Sequence, residues 1–214
     1  MGTVHIMLGS PDEQKAWPPK NQKDYYIGVD RGALYLAEKG YKSDLVIGDF
    51  DSISDIEKHE IKKYAEEIIE VDPDKDDTDA ELSLVYAMRL FEPEKVVIYG
   101  WSGGRLDHLM STLMIPLQPR FKNILPKIEF INKTNKICYF LPGSYVIHKD
   151  QNKTYCSVIG MTPLEQLSLN EGFKYQLNKV DYSYPAALVS NEFVTDTAEL
   201  TFDSGIIAFI QSKD

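Results

Sequence analysis

The chain has 214 residues, 43% of them apolar, which is enough for one large domain or two small ones with a substantial core. Its 33 acidic and 23 basic residues give a net charge of −10, and this argues against non-specific nucleic-acid binding, which depends on Lys and Arg. There is no membrane-length apolar run, and the chain starts without the basic segment of a signal peptide. We therefore expect a soluble, cytoplasmic protein that binds neither nucleic acid nor membrane. The two cysteines, Cys138 and Cys156, lack metal-site spacing and are expected to be buried thiols.

From residue 1 to about 125, strand-type and helix-type patterns alternate. After a first strand at the start of the chain, β-type runs occur at 25–30, 45–47, 68–71 and 95–99, and helical patterns at 33–39, 55–64, 79–90 and 106–115. This alternation predicts an α/β domain of the Rossmann-like kind, with a mostly parallel sheet flanked by helices.

Two capping boxes define helix starts within this half. Ser54 with Glu57, and Thr78 with Glu81, have the spacing at which side chain and backbone bond reciprocally. For the second of these helices the apolar spacing predicts that Leu82, Val85, Tyr86 and Leu90 lie on one face.

After Ile128 no helical pattern remains, and short β-type runs are separated by turn residues. Such a series predicts a β-sandwich or barrel. We place the boundary in the proline-containing segment 116–127 and predict domains at 1–125 and 126–214. The β-type runs are 128–131, 136–140, 145–148, 155–159, 167–169, 173–177, 187–189, 198–202 and 206–210.

Asp49 and Asp51 directly follow the apolar run Leu45–Gly48. If the chain stays extended there, the two carboxylates face one point at the carboxyl end of a strand, where open α/β sheets bind ligands. Carboxylate oxygens suit Mg²⁺. A solvated turn whose acids precede the next helix is the alternative.

Residues 70–79 contain six acids and one Lys. A solvated loop is the default interpretation of such a run. However, the run ends at a helix N-cap, where Thr78 and Asp79 lie beside backbone N–H groups that can receive phosphate oxygens. A functional role is therefore favoured for Asp79, and the solvated interpretation for Asp72 and Asp74.

A glycine-rich turn, Gly100–His108, connects a strand to a helix. Gly103 and Gly104 allow close approach of a ligand, and Arg105 has the planar fork that phosphates prefer. Alternatively, Arg105, Asp107 and His108 form a structural ion-pair cluster. Asp30 also ends a strand, so four strand ends present ligand-type residues at one edge of the sheet, which predicts a Mg²⁺–nucleotide site.

These segments resemble the bacterial form of the thiamine pyrophosphokinase family. The resemblance rests on Gly28–Ala33, Asp44–Ser52, Lys75–Asp79, Gly103–His108 and, in the second half, Gly172–Leu177 with Ser190–Phe193. It spans the chain in the right order. Trp101, Gln176 and the segment 181–187 depart from the family's pattern.

The resemblance implies the transfer of a diphosphoryl group from ATP to thiamine, giving thiamine diphosphate and AMP, with Mg²⁺, in a cytoplasmic homodimer that pairs an α/β domain with a β-sandwich. It implies catalytic roles for Asp49, Asp51, Asp76, Thr78 and Asp79, with Asp49, Asp51 and Asp79 as metal ligands. The implied ATP-binding residues are Asp30, Arg31, Gly103, Gly104, Arg105, Asp107 and His108. The implied thiamine-binding residues are Ser190, Asn191 and Glu192, which could otherwise be a polar turn between strands.

Three alternatives remain at this point. A related Mg-dependent pyrophosphokinase could act on another alcohol, such as a pterin. The Asp-x-Asp pattern after a strand also resembles the haloacid dehalogenase-like phosphatases, although these continue as α/β. A non-enzymatic Ca²⁺- or nucleotide-binding module would bind without releasing AMP.

Overall fold

A computed structural model describes residues 2–72, 74 and 76–214. Lys75, part of the predicted acidic motif, lies outside the described residues, as do Met1 and Pro73. The chain divides into two compact units, Met1–Lys122 with Phe130–Lys133, and Asn123–Glu129 with Thr134–Asp214.

The first unit is an α/β fold built on parallel strands. The strands are β1 (Thr3–Met7), β2 (Tyr25–Val29), β3 (Leu45–Gly48), β4 (Ile68–Glu70) and β5 (Lys95–Tyr99), and the helices are α1 (Arg31–Glu38), α2 (Asp55–Tyr64), α3 (Asp79–Phe91) and α4 (Leu106–Met114). The strands lie in the order β5-β1-β2-β3-β4, and every adjacent pair is parallel. β3 is buried along its whole length, which explains its continuous apolar sequence.

The strand order reverses beside β1. From β1 to β4 the chain adds strands in one direction, and β5 then pairs on the other side of β1. In open α/β sheets the loops after the strands separate at such a reversal, leaving a crevice at the carboxyl ends.

Both predicted capping boxes are present. The Ser54 side chain accepts from the Glu57 backbone N–H, and the Thr78 side chain accepts from the Glu81 backbone N–H, each with the reciprocal bond. α3 does not bury the predicted apolar face most deeply: Leu82, Val85 and Tyr86 are half-buried. Its buried residues are Glu81, Ser83, Leu84 and Ala87, whereas Leu90 is exposed.

The second unit is a β-sandwich of eight antiparallel strands with a short 3-10 helix at Leu125–Lys127. One sheet has the order β12-β9-β14-β7 and the other β11-β10-β13-β8. Both sheets contribute to one core that contains Val158, Leu167, Phe202 and Phe209. The strands are β7 (Asn135–Phe140), β8 (Gly143–His148), β9 (Tyr155–Gly160), β10 (Leu164–Leu169), β11 (Leu177–Tyr182), β12 (Ala187–Asn191), β13 (Thr197–Phe202) and β14 (Ile207–Ser212); the short strand β6 (Ile128–Ile131) precedes them.

One strand prediction in this unit is wrong. Residues 173–177 contribute only an isolated bridge, between Phe173 and Phe193, and the strand begins at Leu177. The predicted sandwich itself is confirmed. Among the described residues, no helix is long and apolar enough to cross a membrane.

Candidate active site

A cavity of about 870 Å³ opens at the carboxyl ends of the strands of the first unit. The loops after β1, β2, β3 and β5 line it, together with the acidic segment before α3 and the first turns of α3 and α4. The cavity therefore lies where the reversal of strand order predicts a ligand site. The lining residues predicted from the sequence are Asp30, Arg31, Asp49, Asp76, Thr78, Asp79, Gly103, Gly104, Arg105, Asp107 and His108.

Asp30 is the most strongly perturbed acid of this cavity. Burial, followed by the nearby Asp79 and Asp49 carboxylates, raises the pKa of Asp30 to about 7, and a hydrogen bond from the Phe50 backbone opposes part of that rise. Its Oδ1 atom is buried and has no hydrogen-bond partner among the described residues. Three carboxylates therefore crowd together at a partly buried position, where a bound proton or a cation relieves their repulsion.

The backbone around these acids is strained. Asp30 has a φ of 45° and Phe50 a φ of 55°, both in the left-handed region that residues other than glycine rarely adopt. Gly48 is required beside them, because a Cβ there would lie 1.9 Å from Asp30 Oδ1. Strain at two adjacent strand ends is typical of a functional site held by its surroundings.

Asp49 and Asp51 are not related as the sequence predicted. β3 ends at Gly48, Phe50 turns the chain, and the Asp51 backbone N–H donates to Asp49 Oδ1 at 3.1 Å. Asp49 is half-buried at the cavity, whereas Asp51 is exposed and is not among the lining residues. The assumption of an extended chain was wrong, because a left-handed residue separates the two acids.

The acidic segment presents several side chains to the cavity. Asp76, Asp77, Thr78 and Asp79 all line it. Thr78 is the N-cap of α3 and Asp79 its first residue, so both are fixed by the helix start. Asp77 is bonded to Arg120, whose guanidinium lowers the pKa of Asp77.

The glycine-rich turn forms another wall of the cavity. Gly103 has a φ of 88° and lies against Asp12, whose Cα would be 3.1 Å from a Cβ at this position. Arg105 donates to Asp107 through Nε at 3.1 Å and Nη2 at 2.6 Å, which lowers the pKa of Asp107 to about 2. Both side chains are exposed, and the Arg105 fork is engaged by its neighbour.

Arg31 is also engaged by its neighbours. Its Nη2 donates to the Ser52 carbonyl at 2.6 Å and its Nη1 to Glu57 at 3.3 Å. Arg31 therefore connects the start of α1 to the loop that carries Asp49 and to the capping box of α2.

The sequence analysis missed the loop after β1. Gly9, Ser10 and Pro11 line the cavity, and the Ser10 hydroxyl donates to the carbonyl of Gly103 at 2.8 Å. The sequence contains a signal for this loop, because the apolar first strand is followed by Gly9 and Ser10, as at other strand ends of the site. Trp101 also lines the cavity; it is buried, and its indole nitrogen has no hydrogen-bond partner among the described residues.

Ser190, Asn191 and Glu192 lie in the second unit, at the end of β12. Ser190 is exposed, with a φ of 59°. Asn191 is buried, and Glu192 forms an ion pair with Lys174 at 2.5 Å. The strained, exposed position of Ser190 is compatible with ligand contact.

The donors in the cavity fit a hard divalent cation. Asp30, Asp49 and Asp79 supply carboxylate oxygens, and the buried Asp30 Oδ1 lacks a hydrogen-bond partner among the described residues. Within the described part of the chain, however, no three acidic, His or Cys side chains are already arranged as a metal site. The Asp49–Asp51–Asp79 ligand set stays a prediction.

An open parallel sheet with an acid-lined cavity at its strand-order reversal is typical of α/β proteins that bind phosphorylated ligands. Two family models match this chain: the catalytic domain of thiamin pyrophosphokinase over residues 18–127, and the vitamin B1 binding domain of thiamin pyrophosphokinase over residues 144–207.

Individual proteins agree with these models. Thiamine pyrophosphokinase of Bacillus subtilis is 34% identical, with both chains covered over their full length. Thiamine pyrophosphokinase 1 of rice is 27% identical over 81% of this chain and 68% of its own. The crystal structure of a thiamin pyrophosphokinase family protein from Enterococcus faecalis has a TM-score of 0.92 at 38% identity, with full coverage of both chains.

The chain therefore belongs to the thiamin pyrophosphokinase family, and the resemblance recognised in its sequence is confirmed. The fold prediction of an α/β unit followed by a β-sandwich is confirmed as well. These matches do not favour the pterin-kinase and phosphatase alternatives.

Proposed function

We propose that this enzyme transfers the diphosphoryl group of ATP to the hydroxyl of thiamine, giving thiamine diphosphate and AMP. The observation that carries the proposal is the acid-lined cavity at the strand-order reversal, in a chain whose two halves match the catalytic and vitamin B1 binding models of one family. The homologues share the name thiamine pyrophosphokinase.

ATP would occupy the cavity of the first unit. Gly103 and Gly104 both have positive φ, so the backbone there approaches a ligand without an intervening side chain. Arg105 would turn its fork from Asp107 to the phosphates, because both prefer the same bidentate geometry. Asp30, Arg31, Asp107 and His108 complete the proposed ATP-binding set.

Mg²⁺ would be held by Asp49, Asp51 and Asp79. When bound, it offsets the charge that develops on the phosphoryl oxygens. The crowding of Asp30, Asp49 and Asp79 supports a cation here, because the like charges repel one another without one.

The chain's own residues would orient the attack. Thr78 and Asp79 are held by the start of α3, which provides the fixed geometry that in-line transfer needs. Asp76 is exposed at the cavity, and either it or Asp79 would accept the proton of the thiamine hydroxyl at a carboxylate oxygen as the O–P bond forms.

Thiamine would be bound by Ser190, Asn191 and Glu192 of the second unit. The match of residues 144–207 to a vitamin B1 binding model supports this assignment. The domain roles that follow are ATP and metal binding by residues 1–125 and thiamine binding by residues 126–214. A homodimer in which the partner subunit closes the thiamine pocket is part of the proposal. So is a cytoplasmic location.

The test is product analysis with purified protein, ATP, MgCl₂ and thiamine. We expect AMP and thiamine diphosphate in equal amounts. ADP with thiamine monophosphate would contradict the proposed attack on the β-phosphorus, and turnover of a pterin alcohol in place of thiamine would support the related pyrophosphokinase. An aspartyl-phosphate mimic trapped by beryllium fluoride would support the phosphatase.

A further inference from the structure

Arg120 makes a bidentate contact with the acidic segment. Its Nη1 donates to Asp77 Oδ2 at 2.8 Å and its Nη2 to Asp77 Oδ1 at 2.7 Å. Arg120 lies 43 residues away in sequence, on the short 3-10 helix Pro119–Phe121. Fork-to-carboxylate pairs of this kind fix orientation as well as distance.

The Arg120 side chain is itself held in place. Its Nε donates to Gln118 Oε1 at 2.7 Å, and its guanidinium carbon lies 4.8 Å from the ring centre of the buried Phe121. Pro119 restricts the backbone at the start of this short helix. A guanidinium with its geometry fixed in advance loses little entropy when it binds a carboxylate.

The same contact extends to the start of α3. Gln118 donates to Glu81, and Arg120 Nη2 lies 3.5 Å from that carboxylate. Glu81 accepts from the Thr78 backbone N–H at 2.7 Å in the capping box. Arg120 and Gln118 therefore hold both Asp77 and Glu81, the capping-box partner of Thr78 in the helix that begins at Asp79.

The acidic segment needs such a contact. Asp72, Asp74, Asp76, Asp77 and Asp79 lie within eight positions and repel one another. Asp76, Thr78 and Asp79 line the cavity, whereas neither Arg120 nor Gln118 does. Arg120 thus acts on the cavity only through the residues it holds.

We propose that Arg120 is a positioning residue of the active site, and that its fork on Asp77 keeps the acidic segment in place so that Thr78 and Asp79 can receive the metal–nucleotide. This inference rests on the proposed function for the identity of that ligand. The pair is partly exposed, Arg120 by 39% and Asp77 by 31%, so its loss should change ligand binding far more than stability.

The variants are Arg120→Gln, Arg120→Lys, Asp77→Asn and the double variant Arg120→Gln with Asp77→Asn. Arg89→Gln is the matched control, because Arg89 is an exposed arginine in the last turn of α3, away from the acidic segment. Binding of MnCl₂ with α,β-methylene-ATP is measured by calorimetry. This analogue cannot release AMP, so the measurement is independent of turnover.

We expect Arg120→Gln to weaken binding about 10- to 100-fold and to raise the Mg²⁺ concentration for half-maximal rate similarly, as for other groups that orient metal ligands. Arg120→Lys should fall between wild type and Arg120→Gln, because a point charge attracts Asp77 but does not orient it. The double variant should bind no worse than Asp77→Asn, because the two residues act through one contact.

Equal Mn²⁺ affinity in Arg120→Gln and Arg89→Gln would overturn the proposal, as would a change confined to melting temperature. If Arg120→Gln does not fold, the test uses Arg120→Lys instead. An Mn²⁺ affinity of Arg120→Lys equal to that of wild type then overturns the proposal. If wild-type protein binds Mn²⁺ with the analogue but releases no AMP when given ATP, MgCl₂ and thiamine, the proposed function is rejected, and the binding measurement still tests Arg120.

Discussion

The side-chain amide of Asn191 is bonded to the backbone of Tyr175 at both its ends. Asn191 Oδ1 accepts from the Tyr175 N–H at 2.9 Å, and Asn191 Nδ2 donates to the Tyr175 carbonyl at 2.8 Å. The same Oδ1 accepts from the Glu192 N–H. Asn191 thus holds the Lys174–Tyr175 turn, whereas the neighbouring Ser190 is exposed.

We therefore expect Ser190→Ala and Asn191→Ala to differ. Ser190→Ala should raise the thiamine concentration for half-maximal rate and leave stability unchanged. Asn191→Ala should do the same and also lower the free energy of unfolding by about 1–3 kcal/mol, because the buried Asn191 amide is lost and the Tyr175 backbone N–H and carbonyl lose their partly buried hydrogen bonds. Steady-state kinetics and urea unfolding measure the two effects. If the double variant Ser190→Ala with Asn191→Ala has the same thiamine dependence as wild type, the thiamine site does not lie at these residues of the second unit.

Local sequence signals predicted the helix starts but not the burial of the helices. The Ser54 and Thr78 capping boxes depend on residues three apart, so the sequence contains all the information they need. The buried side of α3 includes the polar Glu81, because Gln118 and Arg120 contact it from a distant segment. The spacing of apolar residues within α3 contains no information about a contact with a distant segment.

Asp49→Asn and Asp51→Asn test the proposed metal ligands. Each should lower activity by more than about tenfold, or about 1.4 kcal/mol of transition-state stabilisation, because each removes a carboxylate charge. Asp49 lies at the cavity, whereas Asp51 is exposed and does not line it. Rates with saturating substrates measure the loss. If Asp51→Asn keeps more than a tenth of the activity, the metal set is restricted to Asp49 and Asp79.

Gly48→Ala should displace the Asp30 carboxylate. The new Cβ would lie 1.9 Å from Asp30 Oδ1 and 2.8 Å from its Cγ. We expect a loss of about 1–3 kcal/mol in unfolding free energy, as for other overpacked buried sites, together with reduced activity. Adding Asp30→Ala should restore much of the stability, because the clashing atoms are gone. If the losses of unfolding free energy from Gly48→Ala and Asp30→Ala simply add in the double variant, contact with Asp30 is not the reason that position 48 needs glycine.

His5, which is 4% exposed, makes a contribution to stability that should be lost on mild acidification. His5 Nε2 lies 3.3 Å from Asp24 Oδ2, Nδ1 lies 3.3 Å from the Tyr99 hydroxyl, and the ring stacks on Tyr26. Burial lowers the pKa of His5 below 6.5; the Asp24 contact opposes this, and the charge of Lys95 adds to it. Between the folded-state pKa and 6.5 the unfolded chain binds more protons, so this contribution is complete above pH 6.5 and is lost as the pH falls through that interval.

The measurement compares wild type with His5→Gln, which does not titrate. Unfolding free energies are determined from pH 7.5 to pH 5. The difference between the two proteins should shrink as the pH falls, since every other titrating group is shared. A constant difference would show that His5 does not contribute to the pH dependence.

The sequence predicted which strand ends form the site but not how the backbone turns there. Asp30, Asp49, Asp79 and Arg105 line one cavity because parallel strands bring their carboxyl ends together. The left-handed φ of Phe50 could not be predicted from the sequence, since the residue is not glycine.

The strand β11 was not predicted because its sequence lacks the apolar pattern of a strand. It is an edge strand, and its Asn178, Lys179 and Asp181 are exposed.

The pair formed by Arg105 and Asp107 gives opposite predictions for its two members. In the proposed ATP complex the phosphates would displace Asp107 from the Arg105 fork, which it occupies through contacts of 3.1 and 2.6 Å. Arg105→Lys should raise the ATP concentration for half-maximal rate, because an ammonium cannot reproduce the bidentate contact. Asp107→Asn should lower it or leave it unchanged, because the amide can still hydrogen-bond ATP at this position while the Arg105 fork is released. Both side chains are exposed, so neither variant should shift the melting temperature appreciably. The test is to measure initial rates over a range of ATP concentrations. If Arg105→Lys depends on ATP as wild type does, Arg105 does not bind ATP, and the pair only stabilises the start of α4.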